Sequence, residues 1–198
     1  MAEEPLLEFL TIMRRLRAEC PWKAEQTHRS LARYLLEETH ETLEAIESGS
    51  DEHLCEELGD LLLQVYFHAV IAEEREAFSL DDVARGITAK MRRRNPHVFG
   101  DPAAEHPTDA AGVDAAWQAI KATEKQRTSA TDGLPTTLPA LLYAAKAIER
   151  DPSIAAVAAD DSSDLGDRLL ALVGEAVRAG VDPEQALRDA VRRTSTRP

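Results

Sequence analysis

Three observations predict an all-α fold for this chain. Helix-favouring Ala, Leu, Glu and Arg are abundant, while only 5% of the 198 residues are aromatic. Apolar residues recur at three- and four-residue spacing along most of the sequence. Nine of the 10 prolines sit at the starts of those periodic stretches or between them.

Pro5 opens a first helix through Glu19, with Leu6, Phe9, Leu10, Met13 and Leu16 on one stripe. Pro21 ends it, and residues 20–28 (CPWKAEQTH) read as a connecting loop. A second helix is expected from about His28 to Ser48, stopped by Gly49. Asp51 is placed to cap a third, which runs to about Arg75. Ser79 to Asp82 resembles a capping box opening a fourth helix, which ends before Pro96. After a polar stretch over 96–108, Thr108 or Asp109 starts a fifth helix, through Trp117 to about Arg127. Residues 128–139 are rich in Ser, Thr and Pro, the composition of a linker. Three further elements follow: LLYAAKAIER, a stretch beginning at Asp164, and a last helix opened by Asp182-Pro183.

Residues 57–62 (ELGDLL) are echoed by residues 164–169 (DLGDRL), each followed by a helix opening and a basic run. The echo fits an internal repeat, and also two helical hairpins alike by chance. We divide the chain into a working domain over 1–127, a linker over 128–137 and a packing or dimerisation appendage over 138–198.

Composition narrows the function. With 23 Lys+Arg against 36 Asp+Glu the formal charge is −13, which argues against binding nucleic acid over a broad surface. There is no apolar run of 18 residues, so no membrane span is expected. The acidic start MAEEPLLEF is unlike a signal peptide, and Cys20 and Cys55 form no C-x-x-C pair; both suit a cytoplasmic protein.

Residues 31–60 contain ten acids and one base. A solvated helix face is the ordinary reading of such a run. Here the spacing argues otherwise, because the apolar stripe through Leu31, Tyr34 and Leu35 continues into Glu38 and then Glu41 or Thr42, before Ala45. On the next helix Glu57 and Asp60 border the stripe of Leu54, Leu58, Leu61 and Val65. Each pair is spaced i, i+3, so an antiparallel hairpin would bring all four carboxylates to one point. Two like charges about 4 Å apart repel by about 4 kcal/mol at an effective dielectric near 20. A hard divalent cation resolves that repulsion, and all-oxygen ligands select Mg²⁺, Mn²⁺ or Ca²⁺ over zinc. Gly59 inside the helix fits a close helix approach at the metal, or a simple packing notch.

Residues 85–97 carry five Lys/Arg and no acid. Cations late in a helix offset its dipole, which accounts for one or two of them. Lys90, Arg93 and Arg94 share a face, and a metal beside a basic cluster is what polyphosphate binding requires. Trp117 and Lys121, at i and i+4, would set an aromatic plate beside an ammonium to hold a base and a phosphate; a core position for Trp117 is the other reading.

These residues resemble the MazG-type nucleoside triphosphate pyrophosphohydrolases, an all-α superfamily marked by E-E-x-x-E followed by E-x-x-D. This chain has Glu37-Glu38-Thr39-His40-Glu41, 15 intervening residues, then Glu57-Leu58-Gly59-Asp60. Cys20-Pro21-Trp22, Glu25-Gln26-Thr27-His28, Phe67-His68-Ala69 and Pro96-His97-Val98-Phe99 look like the family's flanking segments. The likeness is strong over about 5–127 and continues weakly past Leu138, where two-domain members begin a second copy. The chain departs from the family at Lys23, where an acid is usual, at Asn95, and at His40, where tyrosine is common. The second copy keeps Asp164 and Asp167 without an E-E-x-x-E half, so activity is expected from the first domain alone.

The resemblance implies Mg²⁺-dependent hydrolysis of nucleoside triphosphates to monophosphate and pyrophosphate, with Mn²⁺ as a substitute ion and nucleotide-pool house-cleaning as the role. Glu38, Glu41, Glu57 and Asp60 would hold metal, and Glu37 or Glu38 would orient the attacking water or take its proton. Lys90, Arg93, Arg94 and Lys121 would neutralise phosphates, and Trp117 would hold the base. It also implies a homodimer or higher oligomer. The apolar surplus of the third helix, Leu61 to Ile71, needs covering on several sides by the appendage or by another subunit. Two other readings stand beside this one. A non-catalytic helical module could retain the motif as a relic, and Glu25-x-x-His28 with Glu37-x-x-His40 fits half of a di-metal redox bundle. No Walker phosphate loop, His-Asp pair or G-x-S-x-G turn is present.

Overall fold

The computed structural model describes residues 4–101, 103–104, 107–124, 128–157 and 163–195. They form helices joined by turns, with no strand among the described residues. The chain divides into two compact units, Met1–Gln118 and Ala119–Pro198.

In the first unit α1 (Pro5–Glu19) starts at its proline and buries Leu10 and Met13. The segment read as a loop contains a one-turn helix, α2 (Pro21–Ala24), because Pro21 pre-sets the first helical φ while Arg17 binds the turn's carbonyls. α3 (His28–Ser48) opens with a reciprocal Thr27–Ser30 capping box and stops at Gly49, whose φ of 71° is the left-handed conformation that glycine accepts. α4 (Asp51–Glu73) is capped by Ser50, not by Asp51; the serine hydroxyl accepts from the amide of His53, and Asp51 instead adds first-turn negative charge.

The two-residue link at 49–50 folds α3 and α4 into an antiparallel hairpin, and α1 packs against α4. Their shared core holds Leu10, Met13, Leu31, Tyr66, Phe67, Val70 and Ile71. α5 (Leu80–Arg94) begins at the expected Ser79–Asp82 capping box. The polar stretch after it starts with a short helix, α6 (Pro96–Phe99). α7 (Ala110–Thr123) is opened by Asp109, whose Oδ1 accepts from the Gly112 amide at 2.8 Å. Its last described helical residue is Thr123, and the expected end at Arg127 lies outside the described residues.

The second unit contains α8 (Ala140–Arg150), α9 (Ser153–Val157), α10 (Leu165–Arg178) and α11 (Pro183–Ser195). Its core gathers Ala145, Ile148, Ala155 and Val173. Gly174 permits the closest approach, since a Cβ there would lie 2.6 Å from that of Ala155. Asp164 caps α10 by accepting from the amides of Gly166 and Asp167, whereas Glu57 lies two turns inside α4. The echoed residues therefore occupy different helical positions.

Candidate metal centre

The hairpin turn decides which acids meet. Residues about ten positions before it on α3 face residues a similar distance after it on α4. Glu38, Glu41 and Glu57 each offer a carboxylate oxygen, and all three oxygens lie within 4.8 Å of one another. Asp60, one turn beyond Glu57, adds its charge to the same point, where it raises the pKa of Glu38. Glu37 is exposed and acts on Glu38 through charge alone.

The three glutamates differ in surroundings. Glu57 is the enclosed one, 9% exposed, and its Oε1 lies 3.1 Å from His53 Nε2 one turn earlier. Glu38 is half-buried and Glu41 is exposed. Burial first, then the charges of Asp60 and Glu41, a hydrogen bond with Glu41, and the charge of Glu37 hold Glu38 above the ordinary carboxylate range. An all-oxygen donor set of this spacing fits a hard divalent ion, whose charge would offset the repulsion among the carboxylates.

Gly59 has neither of the expected reasons. A Cβ there would meet nothing within 4 Å among the described residues, so none of them makes a close helix approach or a packing notch at that point of α4.

Lys90, Arg93 and Arg94 lie on α5, which packs against α4. Arg94 stacks its guanidinium over the Trp117 ring, 5.0 Å from the centroid, which joins the end of α5 to the middle of α7. Trp117 is half-buried under that cation, between the core and plate readings, and Lys121 follows it by one turn of α7.

Sequence reasoning missed four features nearby. Trp22, half exposed, meets Tyr34 edge-on at 6.0 Å, one helical turn before Glu38. Arg17 anchors that segment: its side chain is 9% exposed, it forks onto Glu74 at 2.6 and 2.7 Å, and it donates to the carbonyls of Lys23, Ala24 and Gln26. His28 and His68 share a hydrogen bond of 2.7 Å between their Nδ1 atoms, and Arg75 approaches His28 Nε2 at 3.2 Å. Arginine only donates, so His28 Nε2 accepts, His28 Nδ1 carries the proton, and His68 Nδ1 accepts it. Fourth, Gln64 is buried in the middle of α4. The His53–Glu57 spacing was readable from the sequence; the other partnerships join residues 6 to 57 positions apart.

A family model, the MazG nucleotide pyrophosphohydrolase domain, matches residues 26–99. An uncharacterized 26.1 kDa protein of Streptomyces cacaoi is 47% identical over 190 residues, 93% of this chain and 77% of that protein. A nucleoside triphosphate pyrophosphohydrolase/pyrophosphatase MazG of Thermotoga maritima is 37% identical over 94% of this chain and 81% of its own length. The chain belongs to the MazG family. It spans less of other members: the nucleoside triphosphate pyrophosphohydrolase of Mycobacterium tuberculosis is 43% identical, and this chain covers 55% of it. The matched MazG stretch runs from just before α3 to the end of α6 and so contains all five carboxylates and the α5 cations. Trp117 and Lys121 lie beyond it.

Proposed function

We propose that this chain hydrolyses nucleoside triphosphates, ribose or deoxyribose, to the monophosphate and pyrophosphate. The observation that carries the reading is the meeting of Glu38, Glu41 and Glu57 within 4.8 Å, inside the part matched by the MazG model. Glu38, Glu41, Glu57 and Asp60 would hold Mg²⁺, or Mn²⁺ in its place. The ion, when bound, supplies the Lewis acidity that makes water a nucleophile near neutral pH and polarises the α-phosphate.

The chain's own residues do the rest. Glu37 or Glu38 orients the water for in-line attack on phosphorus and takes its proton; burial and the neighbouring acids raise the proton affinity of Glu38. Lys90, Arg93, Arg94 and Lys121 neutralise the triphosphate and the leaving pyrophosphate. Trp117, already stacked by Arg94, offers its remaining surface to the base. We assign the chemistry to 1–127, treat 128–137 as a linker, and give 138–198 a packing or dimerisation role, since Asp164 is committed to capping α10.

We also propose a homodimer or higher oligomer. Leu35, Leu36, Leu43 and Ile46 of α3 and Leu58 and Val65 of α4 are exposed, more apolar surface than one hairpin of a monomer ordinarily shows. A cytoplasmic, house-cleaning role agrees with two free cysteines and with the names of the relatives. No helix among the described residues is long and apolar enough to cross a membrane.

The test is product identity. The chain is incubated with a panel of NTPs and dNTPs and Mg²⁺, and products are separated by chromatography. Monophosphate and pyrophosphate are expected; diphosphate and orthophosphate as first products would reject the reading, and no turnover of any nucleotide would favour a non-catalytic module.

A further inference from the structure

Among the described residues, Gln64 Oε1 is the buried side-chain oxygen or nitrogen without a hydrogen-bond partner, on a residue only 4% exposed. Its place on α4 is specific. Glu57, Asp60, Gln64 and His68 follow one another at intervals of three, four and four residues, which puts them on one side of the helix. Both ends of that polar line are tied to α3, Glu57 through the oxygens of Glu38 and Glu41, and His68 through the 2.7 Å bond to His28. Gln64 therefore lies along the α3–α4 seam, one turn past Asp60.

We propose that Gln64 is a positioning residue of the acidic cluster, its amide oxygen accepting a hydrogen bond from water in the coordination shell of the bound divalent cation. The inference rests on the reading of the cluster as a Mg²⁺ site. An acceptor without a partner needs a donor, which excludes phosphate and carboxylate groups. Its burial excludes a nucleobase and selects the smallest donor, water. Mg²⁺ keeps several of its waters when carboxylates bind it, and those waters need acceptors around the site. A neutral amide supplies one without adding a sixth negative charge to Glu37, Glu38, Glu41, Glu57 and Asp60.

The experiment compares the wild type with Gln64→Met and Gln64→Glu. Thermal unfolding is followed without metal and during titration with Mg²⁺ alone, and pyrophosphate release is measured separately. Gln64→Met removes the unpaired amide at nearly constant volume, so the metal-free Tm rises by about 2–4 °C. Its Mg²⁺ midpoint weakens by about tenfold and kcat falls about tenfold, with nucleotide KM nearly unchanged. Gln64→Glu keeps an acceptor but adds charge: its metal-free Tm falls, and its Mg²⁺ midpoint is restored to the wild-type value or below. A Gln64→Met protein of raised Tm with wild-type Mg²⁺ midpoint and kcat would overturn the proposal and leave the metal site standing. A wild-type Tm that ignores Mg²⁺ would instead overturn the metal site, and this inference with it.

Discussion

Replacing Glu41 by glutamine takes one charge out of the cluster and leaves the shape of the side chain. At 4.8 Å, the widest separation among the three oxygens, two full charges would repel by about 3.5 kcal/mol at an effective dielectric of 20. Glu41 is exposed, and water screening reduces that repulsion to about 1 kcal/mol. Glu41→Gln should therefore raise the metal-free Tm by about 2–4 °C in a chain of this length. Glu38 loses one source of its raised pKa, though burial and the charge of Asp60 continue to hold it up. Turnover moves the other way: with one carboxylate ligand gone, kcat should fall at least about 100-fold and the Mg²⁺ requirement should rise. Circular dichroism melting and a pyrophosphate-release assay over a Mg²⁺ series read both effects. Wild-type kcat with unchanged metal dependence would refute the assignment of Glu41, and a lowered metal-free Tm would refute the account of repulsion.

The His28–His68 pair predicts a pH dependence. Burial, then the charge of His28, lowers the His68 pKa below 6.5, so folding favours the neutral ring. That contribution is complete above pH about 6.5 and declines as pH falls from there toward the folded-state value. Tm should drop between pH 7 and 5 by more in the wild type than in His68→Gln; equal slopes would remove the pair as the cause. Arg17→Ala should destabilise by about 2–3 kcal/mol, because three carbonyls lose their donor while Glu74, part-exposed, is rehydrated. Arg17→Lys should recover little of it, since one ammonium cannot span the carbonyls and the carboxylate together; full stability in either variant, read by urea unfolding, contradicts this. Light scattering at micromolar concentration should give at least twice the 21.8 kDa chain mass, and a monomer with full activity would dispose of the dimer.

What the sequence determined by itself is local. The span of α3 from His28 to Ser48, the Ser79–Asp82 box and the i, i+3 pairing of the acids all follow from backbone geometry over a few residues. The same locality brought Glu38, Glu41 and Glu57 within reach of one another, because two residues at 49–50 leave a hairpin no other direction to fold. The misjudged points are competitions between neighbours. Ser50 displaced Asp51 as the cap, and Pro21 with the carbonyl-binding Arg17 turned an expected loop into a turn of helix. The tertiary structure alone decided which polar groups are enclosed. Glu57 is buried while Glu41, three residues after Glu38 on the facing helix, is open to water. Burial is a sum over every element packed nearby, as the Glu74 carboxylate around Arg17 and the His28 ring against His68 illustrate across 57 and 40 residues. Proton affinity and the cost of an unpaired atom depend on that sum, which no spacing along the chain encodes.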